Sequence, residues 1–363
     1  MNPGGYLYSK VDIRCYLREN TIKIYMKMRE GVESVVLRFG IIGTNWITER
    51  FIQAAEETEQ FVLTAVYSRT EETGRDFAAK YQDVDVYTNL EEMVSGDKVD
   101  AVYIASPNSF HMEQAVACMN HGKHVLCEKP LASNAFETKK MIEVAKANNV
   151  LLMEAMKSTL MPNFRVIKNN LYKLGRIRRY FASYCQYSSR YDAFLGGTVL
   201  NAFNPAFSNG ALMDLGTYCL YPMVTLFGKP DSIQATGIKL SSGVDGEGSI
   251  VMGYENMDAV VMYSKIADSY VPAEIQGENG TLVIDKINQP YDVKIYYRDG
   301  TIEDLRQPQM QESMFYEARE FIELVQTGKR ECTVNTYDNS LAVAEIMEEA
   351  RRQIGVKYPA DLW

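Results

Sequence analysis

Short apolar segments alternate with amphipathic segments from Val35 to Met153, and this alternation limits the possible folds more than any other feature. Apolar segments predict buried strands at 35–43, 61–67, 99–105, 124–127 and 150–153, and helical spacing predicts helices at 46–57, 71–80, 111–121 and 134–148. Strands that alternate with helices at such distances form a parallel sheet with helices on both faces. The sequence therefore predicts an α/β fold that begins with a doubly wound sheet.

The pattern changes after Glu154, where apolar and polar residues alternate over longer stretches. This alternation is typical of half-buried strands, which we predict at 177–187, 232–240, 248–254, 258–265 and 292–298. Turn signals at Glu278-Asn279-Gly280 and Asp299-Gly300 connect such strands as hairpins. Helices are predicted at 162–174, 210–227, 312–327 and 336–353, so residues 155–363 are expected to form an α+β second domain.

Composition and charge exclude several classes of function. The chain has 363 residues, of which 46% are hydrophobic and 23% charged, as expected for a globular protein of more than one domain. A net charge of −9 argues against binding to nucleic acid or to an anionic membrane surface. No segment reaches the apolar length of a transmembrane helix.

The cysteines predict a reducing environment. All six are scattered without disulfide-framework spacing, and no apolar signal region is present, so we expect free thiols and a cytoplasmic location. Four metal-ligating residues recur every three positions, at Cys118, His121, His124 and Cys127. They cannot converge on one ion because the segment runs from a helix end through Gly122 into a strand, and no metal site is predicted.

Residues 1–34 differ from the rest of the chain. They mix isolated apolar residues with basic ones and show neither helix caps nor convincing periodicity. We predict a loose N-terminal arm, or a translation start at Met26 or Met28. Deletion of residues 1–33 is then expected to leave melting temperature and activity nearly unchanged.

A glycine turn joins the first strand to the first helix. Glycine there allows a tight turn and a close approach to a pyrophosphate, which the amino end of the helix would bind. The full dinucleotide fingerprint has glycine at positions 43, 45 and 48, but this chain has Asn45 and Thr48 at the last two. Asn tolerates left-handed conformations, and the first strand–helix unit is where nucleotides bind, so a plain structural turn is the less favoured interpretation. We expect cofactor contacts from Gly40, Gly43, Thr44, Asn45, Trp46 and Ile47.

The ends of two further strands suggest how the cofactor is recognised. After the second strand, Ser68 and Arg69 stand where an NAD-preferring protein would carry an acid, and they suit the 2′-phosphate of NADP. Arg69 alternatively stacks on adenine or is solvated. After the strand at 99–105, Asn108 is expected to contact the nicotinamide ribose or else to cap a helix. Additional cofactor contacts are expected from Ser106, Pro107, His111, Glu128 and Lys129.

Three residues form a candidate proton-transfer set. Lys129 follows a strand at the edge where open sheets bind ligands, although a solvated loop lysine is the simpler alternative. Asp214 and Tyr218 lie four residues apart on one face of a predicted helix, where Asp214 alternatively stabilises the helix and Tyr218 packs. Together the three are expected to be catalytic, with the Lys129 ammonium lowering the pKa of the phenol toward neutrality.

These residues together resemble the glucose–fructose oxidoreductase / inositol dehydrogenase (Gfo/Idh/MocA) family, from about Val36 to the carboxyl end. The most specific parts are Ala117 to Pro130, which ends in Gly-Lys-His-Val-Leu-Cys-Glu-Lys-Pro, and Asp214-Leu215-Gly216. The resemblance implies a Rossmann dinucleotide-binding domain over 35–154. It implies a substrate-binding and oligomerisation domain with a large open, mainly antiparallel sheet over 155–363.

The resemblance also implies residue roles: Lys129 as catalytic lysine, Asp214 as motif carboxylate and Tyr218 as acid/base. Many members carry His where Tyr218 stands, and Tyr is found in the subset that resembles dimeric dihydrodiol dehydrogenase. This chain departs from the family pattern at Asn209-Gly210, which replaces a glycine triple, and at Thr159, where arginine is often found near the substrate. The departure at Thr159 leaves the identity of the substrate open.

We therefore predict an NAD(P)-dependent oxidoreductase, with NADP preferred, that moves a hydride between nicotinamide and a secondary alcohol or carbonyl of a sugar or polyol. The alternatives are a trans-dihydrodiol or other non-sugar dehydrogenase, and a non-catalytic NAD(P)-binding sensor protein on the same fold. An open sheet needs a cover for its free face. We expect a homodimer, or a tetramer of dimers, packed through the second-domain sheet at apolar positions such as Val251, Val260 and Met262.

Overall fold

Six parallel strands form the first sheet of the computed structural model, which describes residues 36–362. These strands are β1 (Leu37–Ile42), β2 (Phe61–Tyr67), β3 (Asp85–Tyr87), β4 (Ala101–Ile104), β5 (His124–Glu128) and β6 (Leu152–Ala155). Their order is β3-β2-β1-β4-β5-β6, so the direction of winding reverses between β1 and β4. Ligands of doubly wound sheets bind at such a reversal, beyond the carboxyl ends of the strands. The predicted Rossmann sheet is confirmed, and β3 is an addition to it.

Helices cover both faces of this sheet. They are α1 (Trp46–Glu56), α2 (Glu71–Ala78), α3 (Leu90–Ser95), α4 (His111–Asn120) and α5 (Ala135–Ala147). All four residues of β4 are buried because the sheet has no solvent-facing side there. On one face the ring of Phe51 in α1 stacks on Tyr103 of β4, with ring centroids 3.7 Å apart. On the other face Met141 of α5 packs into a second apolar cluster.

Eight strands form the second sheet, in the order β14-β13-β12-β11-β7-β10-β9-β8. Their bounds are β7 (Ile177–Cys185), β8 (Ser232–Lys239), β9 (Asp245–Gly253), β10 (Asp258–Ser264), β11 (Ala273–Gly277), β12 (Gly280–Ile284), β13 (Val293–Tyr297) and β14 (Ile302–Asp304). The central pair β7 and β10 is parallel, and the other neighbours are antiparallel. The expected large, mainly antiparallel sheet is therefore confirmed.

The remaining helices are α6 (Lys157–Leu160), α7 (Pro162–Asn170), α8 (Tyr191–Leu195), α9 (Thr217–Phe227), α10 (Met314–Gln326) and α11 (Tyr337–Ile354). A π-helical turn at Leu212–Gly216 leads into α9, and such turns are frequent at functional sites. Helix α10 packs on the first sheet, where Phe321 lies 5.8 Å from Phe39 between ring centroids. The chain therefore returns to the first sheet after completing the second.

Within residues 36–362, no helix is both long and apolar enough to span a membrane. The predicted arm at residues 1–34 and the alternative starts at Met26 and Met28 lie outside the described residues. The boundary placed between residues 154 and 155 stays a prediction.

Candidate active site

Lys129 and Asp214 are in direct contact although 85 positions separate them in the sequence. Lys129 directly follows β5, and its Nζ atom lies 3.0 Å from Asp214 Oδ1 and 2.9 Å from the backbone carbonyl oxygen of Asp214. The peptide bond from Lys129 to Pro130 is cis. Because a lysine ammonium has three N–H donors, these two acceptors leave one donor for another oxygen atom.

Tyr218 lies beside the same ammonium. The Lys129 Nζ atom stands 4.7 Å from the centroid of the Tyr218 ring. Burial raises the pKa of the Tyr218 phenol well above its ordinary value, and the attraction to Lys129 offsets only part of this increase. The expectation that Lys129 brings this pKa toward neutrality is wrong, because the desolvation of a buried phenolate costs more than one nearby cation returns. Tyr218 is a neutral phenol at pH 7.

A second lysine, which the sequence analysis missed, completes the contacts of the carboxylate. Lys265 Nζ lies 2.8 Å from Asp214 Oδ2, so each carboxylate oxygen accepts from a different ammonium. Lys265 directly follows β10 as Lys129 directly follows β5. A lysine that ends an apolar strand was thus a signal common to both, but only Lys129 was accompanied by a recognisable motif.

The electrostatics of this cluster keep Asp214 ionised. Burial alone would raise the pKa of Asp214, but Lys265 and Lys129 outweigh it and hold the pKa well below its usual range. Burial would likewise lower the pKa of Lys129, and Asp214, Tyr218 and Glu128 reverse this, so its pKa is raised. The side chains of Lys265 and Lys129 are 4% and 11% exposed, against 40% for Asp214. Water therefore reaches the cluster from the carboxylate side.

Glu128 and His111 support the loop that carries Lys129. The Tyr103 hydroxyl donates to Glu128 Oε1 at 2.6 Å, and the Lys129 backbone N–H donates to Glu128 Oε2 at 3.2 Å. His111 is fully buried, with its ring nitrogens 3.0 and 2.9 Å from the carbonyl oxygens of Pro130 and Ser106. His111 was expected to contact the cofactor, but its ring is enclosed by protein. It instead holds together the two loops that carry Ser106 and Pro130.

The glycine turn has the geometry of a cradle at the end of β1. Gly43 has φ of +105°, and a Cβ atom there would lie 2.6 Å from the carbonyl oxygen of Ala105, so only glycine fits. Asn45 caps α1: its Oδ1 accepts from the Ile47 N–H at 2.9 Å, and its Nδ2 donates to Ala105 at 2.8 Å. Thr48 is buried and its hydroxyl donates to the carbonyl oxygen of Gly43 at 3.0 Å. Two of the glycine positions of the fingerprint are thus occupied by residues whose side chains stabilise the turn through hydrogen bonds.

Of the other cofactor contacts expected around the turn, two residues lie at the turn and one lies inside β1. Thr44 and Trp46 stand at the turn, and Trp46 is 59% exposed. Gly40 lies inside β1, where a Cβ atom would meet Met93 and Val99 at 3.2 Å, so it serves packing and not the turn.

Two loops at the carboxyl edge hold the remaining predicted residues. Ser68 is buried directly after β2, and the neighbouring Arg69 is exposed. The Ser106 hydroxyl donates to Gln114 at 2.6 Å. Asn108, after Pro107, donates from Nδ2 to the carbonyl oxygen of Ser208 at 2.8 Å, which links the first sheet to the segment before Asp214.

These residues fit a dinucleotide. A glycine that no other residue could replace, at a turn that begins a helix, leaves room for a pyrophosphate at the reversal point of the sheet. Among residues 36–362, no group of three or more His, Cys, Asp or Glu side chains is arranged to hold a metal ion.

Comparison with known proteins identifies the family. Residues 37–156 match the Gfo/Idh/MocA oxidoreductase family, NAD-binding Rossmann fold, and residues 172–283 match the Gfo/Idh/MocA C-terminal domain. The chain belongs to this family. It is an NAD(P)-dependent oxidoreductase that acts on CH–OH groups, and the sensor alternative is set aside.

Individual relatives agree with this assignment. The chain is 59% identical over 326 residues to the scyllo-inositol 2-dehydrogenase (NADP(+)) IolU of Bacillus subtilis strain 168, which covers 90% of this chain and 99% of the relative. It is 30% identical over 352 residues to a trans-1,2-dihydrobenzene-1,2-diol dehydrogenase of Danio rerio, with coverage of 90% and 99%. The solved structure of a levoglucosan dehydrogenase with NADH and levoglucosan shares the fold, with a TM-score of 0.79 at 19% identity over 88% of this chain and 97% of the other.

Proposed function

We propose that this enzyme is an NADP-preferring dehydrogenase that interconverts a secondary hydroxyl of an inositol-type cyclic polyol and the corresponding ketone. The observation that carries the proposal is the Lys129 ammonium, which touches Asp214 at 3.0 Å and lies 4.7 Å from the Tyr218 ring at the cofactor-binding edge of the sheet. The 59% identity to an NADP-dependent scyllo-inositol dehydrogenase supports the class of substrate.

Each of the three residues has a role that follows from its contacts. The third N–H donor of Lys129 binds the substrate oxygen and stabilises the negative charge that develops on it. The neutral Tyr218 phenol gives its proton to that oxygen during ketone reduction, which leaves a phenolate beside Lys129; during alcohol oxidation this phenolate takes the proton from the hydroxyl group. Asp214 fixes the ammonium and stays ionised throughout. Bound NADP(H) supplies the hydride acceptor or donor.

The preference for NADP rests on the end of β2. Ser68 and Arg69 offer a hydroxyl and a guanidinium where an acid would favour NAD. Within residues 36–362, Arg69 forms no ion pair or hydrogen bond with a side chain of the protein, so its donors remain available for a phosphate.

A turnover screen tests the proposal. The purified protein is assayed with NADP and with NAD against scyllo-inositol, myo-inositol, glucose and a trans-dihydrodiol, and reduced cofactor is measured by absorbance. We expect the highest kcat/KM with NADP and an inositol. A Lys129→Met variant serves as the inactive control. Activity confined to glucose would contradict the inositol assignment.

A trans-dihydrodiol is the second candidate substrate. Aromatic side chains near the site favour it: Tyr184 meets Tyr218 edge-to-face at 5.7 Å, and Tyr191 lies 5.7 Å from Phe203. The half-buried rings of Tyr184, Tyr191 and Tyr218 would pack on a flat, apolar substrate as well as on the C–H face of a cyclic polyol. A kcat/KM for the dihydrodiol above that for every inositol would favour this candidate.

The second sheet supports a homodimer. Its inner face packs on helices through residues such as Ile250 and Val261, whereas Val251 on the outer face is 47% exposed. Val260 and Met262 share that outer face. A second copy of the chain would cover these apolar positions. Light scattering of the cytoplasmic enzyme is expected to give a dimer or tetramer. A Val251→Glu variant is expected to show weaker association of the subunits. A monomer at micromolar concentration would contradict the proposal.

A further inference from the structure

We propose that Lys265 is a positioning residue of this enzyme, which holds Asp214 so that Lys129 keeps a donor free for substrate and which links Asp214 to the segment 188–203. The proposal rests on the proposed function in one respect, because Lys129 is taken to bind the reacting oxygen. Lys265 itself is placed to act through Asp214 and not on the substrate.

The contacts of Lys265 enclose its ammonium almost completely. The side chain is 4% exposed, and Nζ lies 2.8 Å from Asp214 Oδ2 and 3.3 Å from the carbonyl oxygen of Ala202. The same atom stands 5.3 Å from the centroid of the Phe203 ring. An enclosed lysine cannot take up a substrate directly, so any effect on the reaction passes through the groups it touches.

The division of the two carboxylate oxygens is the first part of this effect. Lys265 occupies Oδ2 and Lys129 occupies Oδ1, so Asp214 cannot bind Lys129 through both oxygens. Without Lys265, Asp214 is free to rotate and accept twice from Lys129, which would use the donor that the substrate needs.

The charge balance is the second part. Two ammonium groups contact the Asp214 carboxylate, so these three residues carry one excess positive charge, which the more distant Glu128 carboxylate offsets only in part. Such an excess is costly in a merely structural cluster, because buried charges are normally balanced. It is useful where a negative charge develops on an oxygen atom during the reaction.

Lys265 also joins both ends of the segment 188–203. Its backbone carbonyl oxygen accepts from the Ser188 N–H at 2.9 Å, while its ammonium donates to Ala202. The segment carries Tyr191 and Phe194, and Phe194 packs on Phe203 with ring centroids 5.4 Å apart. One residue therefore fixes this aromatic segment relative to Asp214.

The experiment compares Lys265→Met, which removes the charge at similar length, with Lys265→Arg, which keeps it. Lys229→Met is the matched control because it makes the same substitution at an exposed lysine. Lys229 pairs with Glu345 at the surface, whereas Lys265 is buried and pairs with Asp214. We expect Lys265→Met to lower kcat about 10- to 100-fold with KM for NADP within twofold, since positioned groups of this kind contribute such factors. Lys265→Arg should recover most of the loss, and Lys229→Met should match the wild type.

The pH profile separates positioning from general damage. Tyr218 is surrounded by Lys129, Glu128, Tyr184 and Glu317, and loss of the excess charge at Asp214 makes its phenolate harder to form. The rise of the oxidation rate with pH should therefore move to higher pH in Lys265→Met but not in Lys229→Met. An unchanged kcat and an unchanged profile would overturn the proposal.

Hydrogen exchange distinguishes failure of this inference from failure of the proposed function. A wild type that turns over none of the tested substrates would contradict the proposed function alone. In that case, faster amide exchange confined to 188–203 and 212–218 in cofactor-free Lys265→Met would still support the positioning role. Exchange equal to that of the wild type would overturn it.

Discussion

Two ion-paired carboxylates in this protein differ in their exposure to water and in the number of cations that they contact. Asp361 is fully buried and accepts from both terminal nitrogens of a single guanidinium, that of Arg351. Asp214 is 40% exposed and is shared between the two ammonium groups of Lys129 and Lys265. The first pair is balanced and closed to water, whereas the second cluster has excess positive charge and is open.

The difference is the one we expect between an ion pair that stabilises the fold and a cluster that takes part in the proposed reaction. Arg351 also donates to the carbonyl oxygen of Ser133 at 3.1 Å and lies 4.2 Å from the Tyr358 ring, so the Asp361 pair joins three segments of the chain. A planar guanidinium suits this bidentate geometry. Lysine has no such fixed geometry, and its spare donor can turn toward a ligand. We therefore expect substitutions at the two sites to affect different quantities.

Substitution of Lys129 by Met should have the largest effect. We expect kcat to fall roughly 10³–10⁴-fold, about 4–5.5 kcal/mol in the activation barrier, because the charge that stabilises the reacting oxygen is lost. The dissociation constant of NADPH and the urea midpoint should change little. Steady-state kinetics and cofactor fluorescence measure these quantities. A kcat within tenfold of the wild type would show that the open cluster is not the reactive one.

Substitution of Arg351 by Met should reverse this pattern. We expect a loss of about 3–5 kcal/mol in the free energy of unfolding, because the buried Asp361 charge loses its cationic partner. The rate per folded molecule should stay unchanged. Urea unfolding measures the loss. The adjacent Arg352→Met is the control, because its pair with Glu349 is exposed and is expected to contribute less than about 1 kcal/mol. Equal losses in the two variants would remove the distinction.

Substitution of Tyr218 by Phe should lower kcat about 10²–10³-fold, since one proton-transfer group is lost. The raised pKa of Tyr218 fixes the sign of the pH dependence: the oxidation rate should increase with pH through the neutral range, while the reduction rate stays constant until the phenol ionises. The variant should lose both features. Combined with Lys129→Met, it should lose less than the product of the single effects, because both residues act on one oxygen. Wild-type rates in Tyr218→Phe would leave Lys129 with water or Asp214 as the acid/base.

Arg69→Ala should have the smallest effect of the four. Arg69 is an exposed cation, and we expect its loss to narrow the affinity gap between NADPH and NADH by about 1–3 kcal/mol, the range of a charge-assisted hydrogen bond. Titration of each cofactor measures the gap. Equal dissociation constants in the wild type would rule out recognition of the 2′-phosphate by Ser68 and Arg69.

The first sheet was predictable from the sequence because its strands are buried on both faces and appear as continuous apolar segments. Strand β3 was missed because its three residues are only half-buried and form no such segment. Strands β11 and β12 flank the turn signal found at 278–280, but each has five residues, too few for a clear alternation.

The candidate site was predictable only where a motif carried it. The sequence named Lys129, Asp214 and Tyr218, which the structure brings together, but the pairing of Lys265 with Asp214 depends on how the second sheet brings β10 against the π-helical turn. The pKa of Tyr218 was misjudged because spacing shows that two groups meet and does not show how much water surrounds them. Burial, unlike contact along a helix, is a property of the whole fold.

The return of α10 to the first sheet has a consequence for synthesis on the ribosome. Phe39 and Phe51 appear early, but the wall formed by Phe321 and Ile322 is made some 270 residues later than Phe51. An N-terminal domain usually folds as soon as it emerges. Here the nascent first sheet must keep one apolar face uncovered until the second sheet has been translated, so we expect chaperone binding to this face during that interval.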